Sequence, residues 1–291
     1  MLASSMKNKR IGFIGQGFIG RNMADDFSER GYEVVRYALE AEYVGNRGAI
    51  ADCEVVFVAV PTPTTPYGFD DTALVSALSL IGKNKVAVIK STMVPGTTRK
   101  LQLLFPDFTI VHSPEFLREK FALEETRAPE RTIIGLVEKN PALESVAKTL
   151  LSILPQAETE LVCLAEEAEL IKYGGNCFLA MKVVYMNILY EFSQKLNLDY
   201  DVVASGVGAD KRIGMSHTKV IDNSGKDTVV GRGAGGHCFP KDLAAFRQSY
   251  EKVVKDDSLG NDFIRSLELK NLSLLRQSGK DINLLLQIYG E

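Results

Sequence analysis

The sequence predicts an α/β chain: a Rossmann-type doubly wound parallel sheet over residues 6–165, then an all-helical domain over 166–291 built on one long helix. Three observations predict it. A short apolar run, Ile11 to Ile14, leads directly into a Gly-x-Gly-x-x-Gly turn at Gly15, Gly17 and Gly20 and then into a helical stretch. Unbroken apolar runs such as Val55 to Val60 recur between helical patterns, as expected for parallel strands buried on both faces. From Glu166 to Leu196 the apolar residues keep helical spacing without interruption.

Taken in order, Arg10 to Ile14 is the first strand. In the turn after it, the first glycine makes the bend, the second admits a pyrophosphate, and the third lets helix and strand pack; the helix N-terminus then faces the phosphates. Gly15, Gly17, Phe18, Ile19 and Gly20 are therefore candidate dinucleotide contacts. The helix through Met23, Phe27 and Arg30 ends at Gly31, and Tyr32 to Val35 starts the second strand. An acid at the end of that strand, which holds the adenine ribose in such sites, is absent: the region reads Arg36-Tyr37-Ala38-Leu39-Glu40. Glu40 in its place, Arg36 tolerating a 2′-phosphate, and a weakened site all remain open. NAD is the expected cofactor, with NADP not excluded.

Residues 40–52 leave room for one helical turn. Val55 to Val60 then ends in Pro61-Thr62-Pro63-Thr64, a rigid loop at a strand C-terminus, where open α/β sheets bind ligands. Val60, Pro61 and Thr62 join the cofactor candidates. Asp70 or Asp71 caps a helix through Leu74, Leu78 and Ile81. The strand Val86 to Ile89 delivers Lys90, Ser91 and Thr92 to the same sheet edge, and Pro95 and Gly96 open another helix. Thr109 to His112 is followed by Ser113-Pro114-Glu115-Phe116-Leu117-Arg118-Glu119, whose two glutamates, four apart, are expected to share a helical face. Strands over 132–135 and 160–163, with a helix over 141–154 between them, bring the total to six to eight strands.

In the long helix Lys172 and Asn176 lie four apart on one face. The lysine either snorkels or is desolvated and aimed at a reactive group. A helix this apolar packs against more than its own domain, and a homodimer is expected. Asp199 starts a short helix, a segment over 208–214 contains Arg212, and 216–233 reads as a polar loop. The loop leads to Gly235-Gly236-His237-Cys238-Phe239-Pro240-Lys241-Asp242. Glycines beside a cysteine let substrate approach the sulfur, and a cation such as Lys241 or another lysine favours thiolate, so the octet points to a nucleophile. Helices over 243–253 and 262–277 and an apolar tail over 282–289 follow.

Composition excludes other classes. With 45% hydrophobic and 24% charged residues and a net charge of −3, the chain offers no general attraction to nucleic acid or anionic membrane. Cys53, Cys163, Cys177 and Cys238 form no Cys-x-x-Cys pair, and with three histidines they make no metal pattern. Reduced thiols and a cytoplasmic protein are expected. No apolar run is long enough for a membrane span, and the N-terminus has no signal-peptide core.

Together these motifs resemble the UDP-glucose/GDP-mannose dehydrogenase family. The matching pieces are Gly15 to Gly20, Val58 to Pro63, Lys90 to Thr92, Ser113 to Glu119, Glu169 to Tyr173 with Asn176, Asp210 to Gly214, and Gly235 to Asp242. The resemblance implies oxidation of a nucleotide-sugar C6 alcohol to a carboxylate in two NAD-dependent steps. It implies that Cys238 captures the aldehyde and that Lys172 and Asn176 steady the oxyanion. Asp242 with Thr92 would position water, and Glu115 and Glu119 would serve acid–base or substrate-positioning roles. Phe116, Leu117, Arg118 and Gly235 would contact substrate, and Arg212 would reach across a dimer to a neighbouring site. Three departures stand out. Family members usually continue into a second nucleotide-binding domain, whereas this chain stops at Glu291. The second-strand acid is absent. Lys120 replaces the small residue that usually follows the Leu-Arg-Glu run. A non-catalytic dinucleotide- or partner-binding relative and a 3-hydroxyacid dehydrogenase-like enzyme are the alternatives; the latter needs no cysteine.

Overall fold

The computed structural model describes residues 9–223 and 229–290. The expected domain start at residue 6 and the part of the polar loop at 224–228 lie outside them. The chain divides into two compact units, Met1–Thr62 with Asp70–Lys172, and Pro63–Phe69 with Tyr173–Glu291.

The first unit is built on a seven-stranded sheet of β1 (Arg10–Ile14), β2 (Glu33–Tyr37), β3 (Val55–Val58), β6 (Val86–Ile89), β7 (Thr109–His112), β8 (Arg131–Leu136) and β9 (Thr159–Leu164), in the order β2-β1-β3-β6-β7-β8-β9. Helix α1 (Phe18–Glu29) links β1 to β2, and a single-turn helix α2 (Arg47–Ile50) precedes β3. Helices α3 (Thr72–Leu78), α4 (Thr97–Leu104), α5 (Ala122–Arg127) and α6 (Pro141–Ile153) supply the later connections. β3 is wholly buried, as its unbroken apolar run requires. Phe13 of β1 stacks on Phe57 of β3 at 5.2 Å between ring centroids, and Phe27 of α1 meets Phe13 edge-on at 5.4 Å. These aromatic pairs fix how α1 lies on the sheet. The strand order reverses at β1, so the C-terminal ends of β1 and β3 flank the switch point where such sheets bind ligands.

The parallel pattern breaks once. β7 and β8 pair antiparallel, Val111 with Leu136 and His112 with Gly135. The connection spends 113–118 as coil and contains a 3₁₀ turn and the six-residue α5, so it returns beside β7 instead of crossing the sheet face. One helix expectation also shifts. The helix drawn through Ile81 stops at Leu78; of the two capping candidates, Asp70 accepts from Thr72 N–H at 2.9 Å.

The second unit takes most of α7 (Ala165–Lys195), then α8 (Tyr200–Gly208), α9 (Phe239–Val253), α10 (Ser258–Ser278) and α11 (Ile282–Tyr289), so the apolar tail is a helix. It also includes a small hairpin, β4 (Thr64–Thr65) with β5 (Gly68–Phe69), which divides the loop expected over Pro61 to Thr64. The Thr64 hydroxyl donates to the Lys241 carbonyl at 3.0 Å, tying the hairpin to the first turn of α9. Among the described residues no helix is long and apolar enough to cross a membrane.

Candidate active site

In the first unit the glycine turn closes tightly on β3. Gly15 has φ +90°, and a Cβ there would stand 2.2 Å from the Ala59 carbonyl oxygen; a Cβ on Gly20 would stand 1.9 Å from the Gly15 carbonyl oxygen. Neither position admits a side chain. A Cβ on Gly17 would meet nothing within 4 Å. The space before the α1 N-terminus, lined by Phe18 and Ile19, is thus open where a pyrophosphate needs to approach, and the residues present fit a dinucleotide. Beside the turn, Val60 N–H donates to Ser91 Oγ at 3.0 Å, and the Ser91 hydroxyl donates to Val60 O at 2.7 Å. Thr62 Oγ1 donates to Thr92 O at 2.8 Å, with Pro61 exposed between. Candidates from two strand ends are therefore pinned together. Arg36 pairs with Asp25 at 2.7 Å, and Glu40 is exposed past the end of β2.

Glu115 and Glu119 do not share a helical face. Residues 113–118 are coil, and Glu119 is exposed in a 3₁₀ turn, Glu119–Phe121. Side chains hold the segment open. Glu115 accepts from Phe116 N–H at 2.9 Å, and Glu125 accepts from Arg118 N–H and Nε, both at 2.6 Å. Glu115 also turns inward to Lys90 Nζ at 3.1 Å, and this pair is largely buried. Half-buried Phe116 lies under the Arg131 guanidinium at 3.9 Å and near Lys172 Nζ at 5.2 Å, the expected place of cations on a ring face. Leu117 is half-buried and Arg118 exposed. Lys172 is buried. His112 is wholly buried, and burial pushes it down to about 3, so it is a neutral ring. The Lys90–Glu115 pair was not anticipated; its signal was a lysine ending the apolar strand β6.

In the second unit Cys238 is exposed and is the N-cap residue of α9. Pro240 sits in the first turn, where its missing N–H loses no helix bond. The other three cysteines are buried; burial raises the Cys53 and Cys163 thiols to about 11, and Cys177 further still. Asp242, one turn into α9, is 1% exposed. One of its oxygens takes the Lys241 ammonium, and the other accepts from Asn176 Nδ2 at 2.6 Å. Burial pulls the Lys241 ammonium down, but the charge and hydrogen bond of Asp242, with Cys238 adding, hold it above its ordinary value. The amide expected to steady an oxyanion is therefore donated to Asp242. Gly235 is half-buried in the loop before Cys238. Arg212 is 89% exposed and forks onto Asp210, with Nε 3.0 Å from Oδ1 and Nη2 2.6 Å from Oδ2. Lys182 fixes that turn by donating to the carbonyls of Ile213 at 2.8 Å and Gly214 at 3.0 Å.

The sheet order and the glycine turn define the first unit as a dinucleotide-binding Rossmann domain. Residues 38–153 match the NAD binding domain, and residues 166–266 the central domain, of the UDP-glucose/GDP-mannose dehydrogenase family. This chain belongs to that family. It is 33% identical over 227 residues to a UDP-glucose 6-dehydrogenase of Rickettsia bellii, across 75% of this chain and 50% of that protein. It is 32% identical over 237 residues to the UDP-glucose 6-dehydrogenase of Pseudomonas aeruginosa, across 76% and 49%. The chain thus spans about half the length of these curated relatives. A solved UDP-glucose dehydrogenase from Pyrobaculum islandicum superposes with a TM-score of 0.77 at 27% identity, over 97% of this chain and 71% of that one.

Proposed function

We propose that the protein oxidises the C6 alcohol of a nucleotide sugar to the carboxylate in two NAD-dependent steps, through a covalent intermediate on Cys238. The observation that carries this reading is the exposed Cys238 at the N-terminus of α9, whose first turn holds the linked Lys241 and Asp242 with Asn176, in a member of this family. NAD supplies the hydride acceptor for both oxidations; Gly15, Gly17, Phe18, Ile19, Gly20, Val60, Pro61, Thr62 and Thr92 are the residues to hold it. The Cys238 thiolate adds to the C6 aldehyde and forms the C–S bond of a thiohemiacetal. Loss of hydride from C6 turns this into a thioester; water then cleaves the C–S bond, releasing the acid and returning the thiolate. A helix N-terminus and a neighbouring ammonium both favour the anionic sulfur. Capture of the aldehyde keeps it bound while cofactor is exchanged.

Asp242 keeps the Lys241 charge and the Asn176 amide in fixed places at the start of α9. By family resemblance, Lys172 steadies the oxyanion, Thr92 with Asp242 orients the water, and Glu115, Glu119, Phe116, Leu117, Arg118, Gly235 and Arg212 serve the substrate. The chain is further proposed to work as a cytoplasmic homodimer, joined through α7.

The test is NADH formation with UDP-glucose, GDP-mannose and UDP-N-acetyl sugars, scored with the acid formed. Two NADH per acid are expected with one of these donors. Cys238→Ser should abolish acid formation and leave NAD binding intact. Full acid production by Cys238→Ala would remove the reading.

A further inference from the structure

The loop that ends at Cys238 is tied to α7 by the Arg232 side chain, which donates to Asn187 Oδ1 and Glu191 at 2.9 Å, and its backbone is held at Arg232, Gly233, Ala234 and Gly236 from one neighbour. Ser278, at the end of α10, accepts from Arg232 N–H at 3.0 Å. Lys280 donates to the Gly233 carbonyl at 3.1 Å, and it is buried. Asn271 takes both backbone groups of Ala234: its Oδ1 accepts from the N–H at 2.7 Å, and its Nδ2 donates to the carbonyl at 2.9 Å. Asp281 accepts from Gly236 N–H at 2.7 Å. Two residues past that bond stands Cys238.

The glycines are what allow this approach. Gly233 has φ +93°, and a Cβ there would press on Leu274, Leu275 and the Asn271 oxygen at 3.1–3.2 Å; a Cβ on Gly231 would stand 2.7 Å from Ser278 Oγ. Asn271 is 2% exposed, so its amide is ordered inside the unit. Asp281 itself has φ +56°, a conformation that asparagine and aspartate tolerate best among side-chain-bearing residues. All four polar residues lie beyond residue 266, where the match to the family's central domain ends.

We infer that Asn271, Ser278, Lys280 and Asp281 are positioning residues for Cys238: the corner between α10 and α11 is a rack that sets where the sulfur stands at the start of α9. The inference rests on the reading of Cys238 as the nucleophile. The rack touches no reacting atom. It holds the upstream end of the cysteine segment, while the helix bond from Asp242 N–H to the Cys238 carbonyl, at 2.9 Å, holds the downstream end. Losing the Asp281 bond frees the backbone two residues before the sulfur.

The experiment uses the whole chain with Asp281→Ala, Asp281→Asn and Asn271→Ser. It measures iodoacetamide alkylation of Cys238 against pH, read by mass of the Cys238 peptide, together with kcat and KM for the proposed oxidation. Asp281→Ala and Asn271→Ser should lower kcat by about tenfold or more with KM for NAD unchanged, and shift the alkylation profile. Asp281→Asn keeps an acceptor for Gly236 N–H and should restore most of both. An alkylation profile within about twofold of wild type in Asp281→Ala and Asn271→Ser overturns the inference, as does an Asp281→Asn as impaired as Asp281→Ala. The alkylation arm needs no turnover, so an enzyme inactive on every nucleotide sugar defeats the proposed function while still deciding this one.

Discussion

Asn176 of α7 donates its amide to Asp242 of α9 at 2.6 Å, across 66 residues of sequence. Asp242 is almost wholly buried and also carries Lys241, so its carboxylate is the joint between the long helix and the cysteine helix. Removing it leaves a largely buried ammonium without its counter-charge. Asp242→Ala should therefore cost about 3–5 kcal/mol of folding stability. Asn176→Ala leaves the ion pair in place and should cost only about 1–2 kcal/mol. Urea unfolding of the two variants checks the order; equal losses would show that the ion pair, not the joint, is dispensable.

The glycine turn separates folding from cofactor binding. A side chain at Gly20 collides with the Gly15 carbonyl, whereas one at Gly17 enters open space. Gly20→Val should lose stability, by at least the about 1–3 kcal/mol typical of an overpacked site. Gly17→Val should fold normally and bind NAD at least about tenfold more weakly, because the pyrophosphate can no longer reach the helix N-terminus. Thermal melts with and without NAD distinguish them: Gly17→Val should match wild type without NAD and gain little when NAD is added. An undiminished NAD-induced shift in Gly17→Val would show that the turn does not face the cofactor.

Glu169 of α7 accepts from Gly96 N–H at 2.6 Å, Thr98 N–H at 2.7 Å and the Thr98 hydroxyl, capping α4 from a distance. Burial nevertheless raises its carboxyl to about 7 from an ordinary 4.5, against the lowering pull of those bonds. Between these values the folded chain binds a proton that the unfolded chain does not. The contribution of Glu169 is full below 4.5 and declines as pH rises to about 7, at up to about 1.4 kcal/mol per pH unit. His112 acts in the opposite sense, its contribution being present above 6.5 and lost as pH falls towards 3. Subtracting the Glu169→Gln stability curve from wild type cancels His112 and should leave a difference that falls with pH across the Glu169 window. Parallel curves would mean that the carboxyl is ionised throughout.

These sites were unequally visible in the amino-acid order. The glycine turn was legible because its constraints are local: bend, opening and close approach occupy six consecutive residues. The helix start at Cys238 and Pro240 was legible for the same reason. The direction of β8 was not, since an apolar strand such as Thr132 to Gly135 reads the same in either orientation. Nor was the fate of Glu115, whose spacing from Glu119 suits a helix until Lys90, Arg118 and Glu125 are in place to hold the chain extended. Asn271 and Asp281 look like ordinary helix and turn residues. Their meaning lies in backbone groups 37 and 45 residues away, which carry no sequence signature of their own.

The outer face of α7 bears Phe178, Tyr185, Ile188 and Phe192, all of them 46–61% exposed. The spacings of seven, three and four put them on one face of the helix. With Phe263 and Leu267 of α10, the first three line a groove that also includes Arg212. An apolar stripe of this length costs free energy in water, at roughly 25 cal/mol per Å² of apolar surface that a partner could cover. A second copy of the chain seated there by two-fold symmetry would bury the stripe twice and would touch the turn that carries Arg212. The protein is therefore expected to sediment as a dimer at micromolar concentration. Phe192→Asp and Tyr185→Asp should yield folded monomers, because both side chains are already at the surface and the core loses nothing. Arg212→Ala should keep the dimer and raise KM for the nucleotide sugar, since the guanidinium suits fork-like contact with sugar and phosphate oxygens. A wild-type monomer in sedimentation, or dimers unaffected by either aspartate, would assign the stripe to another partner. An Arg212→Ala enzyme with unchanged substrate dependence would leave the dimer standing and remove the arginine from the site.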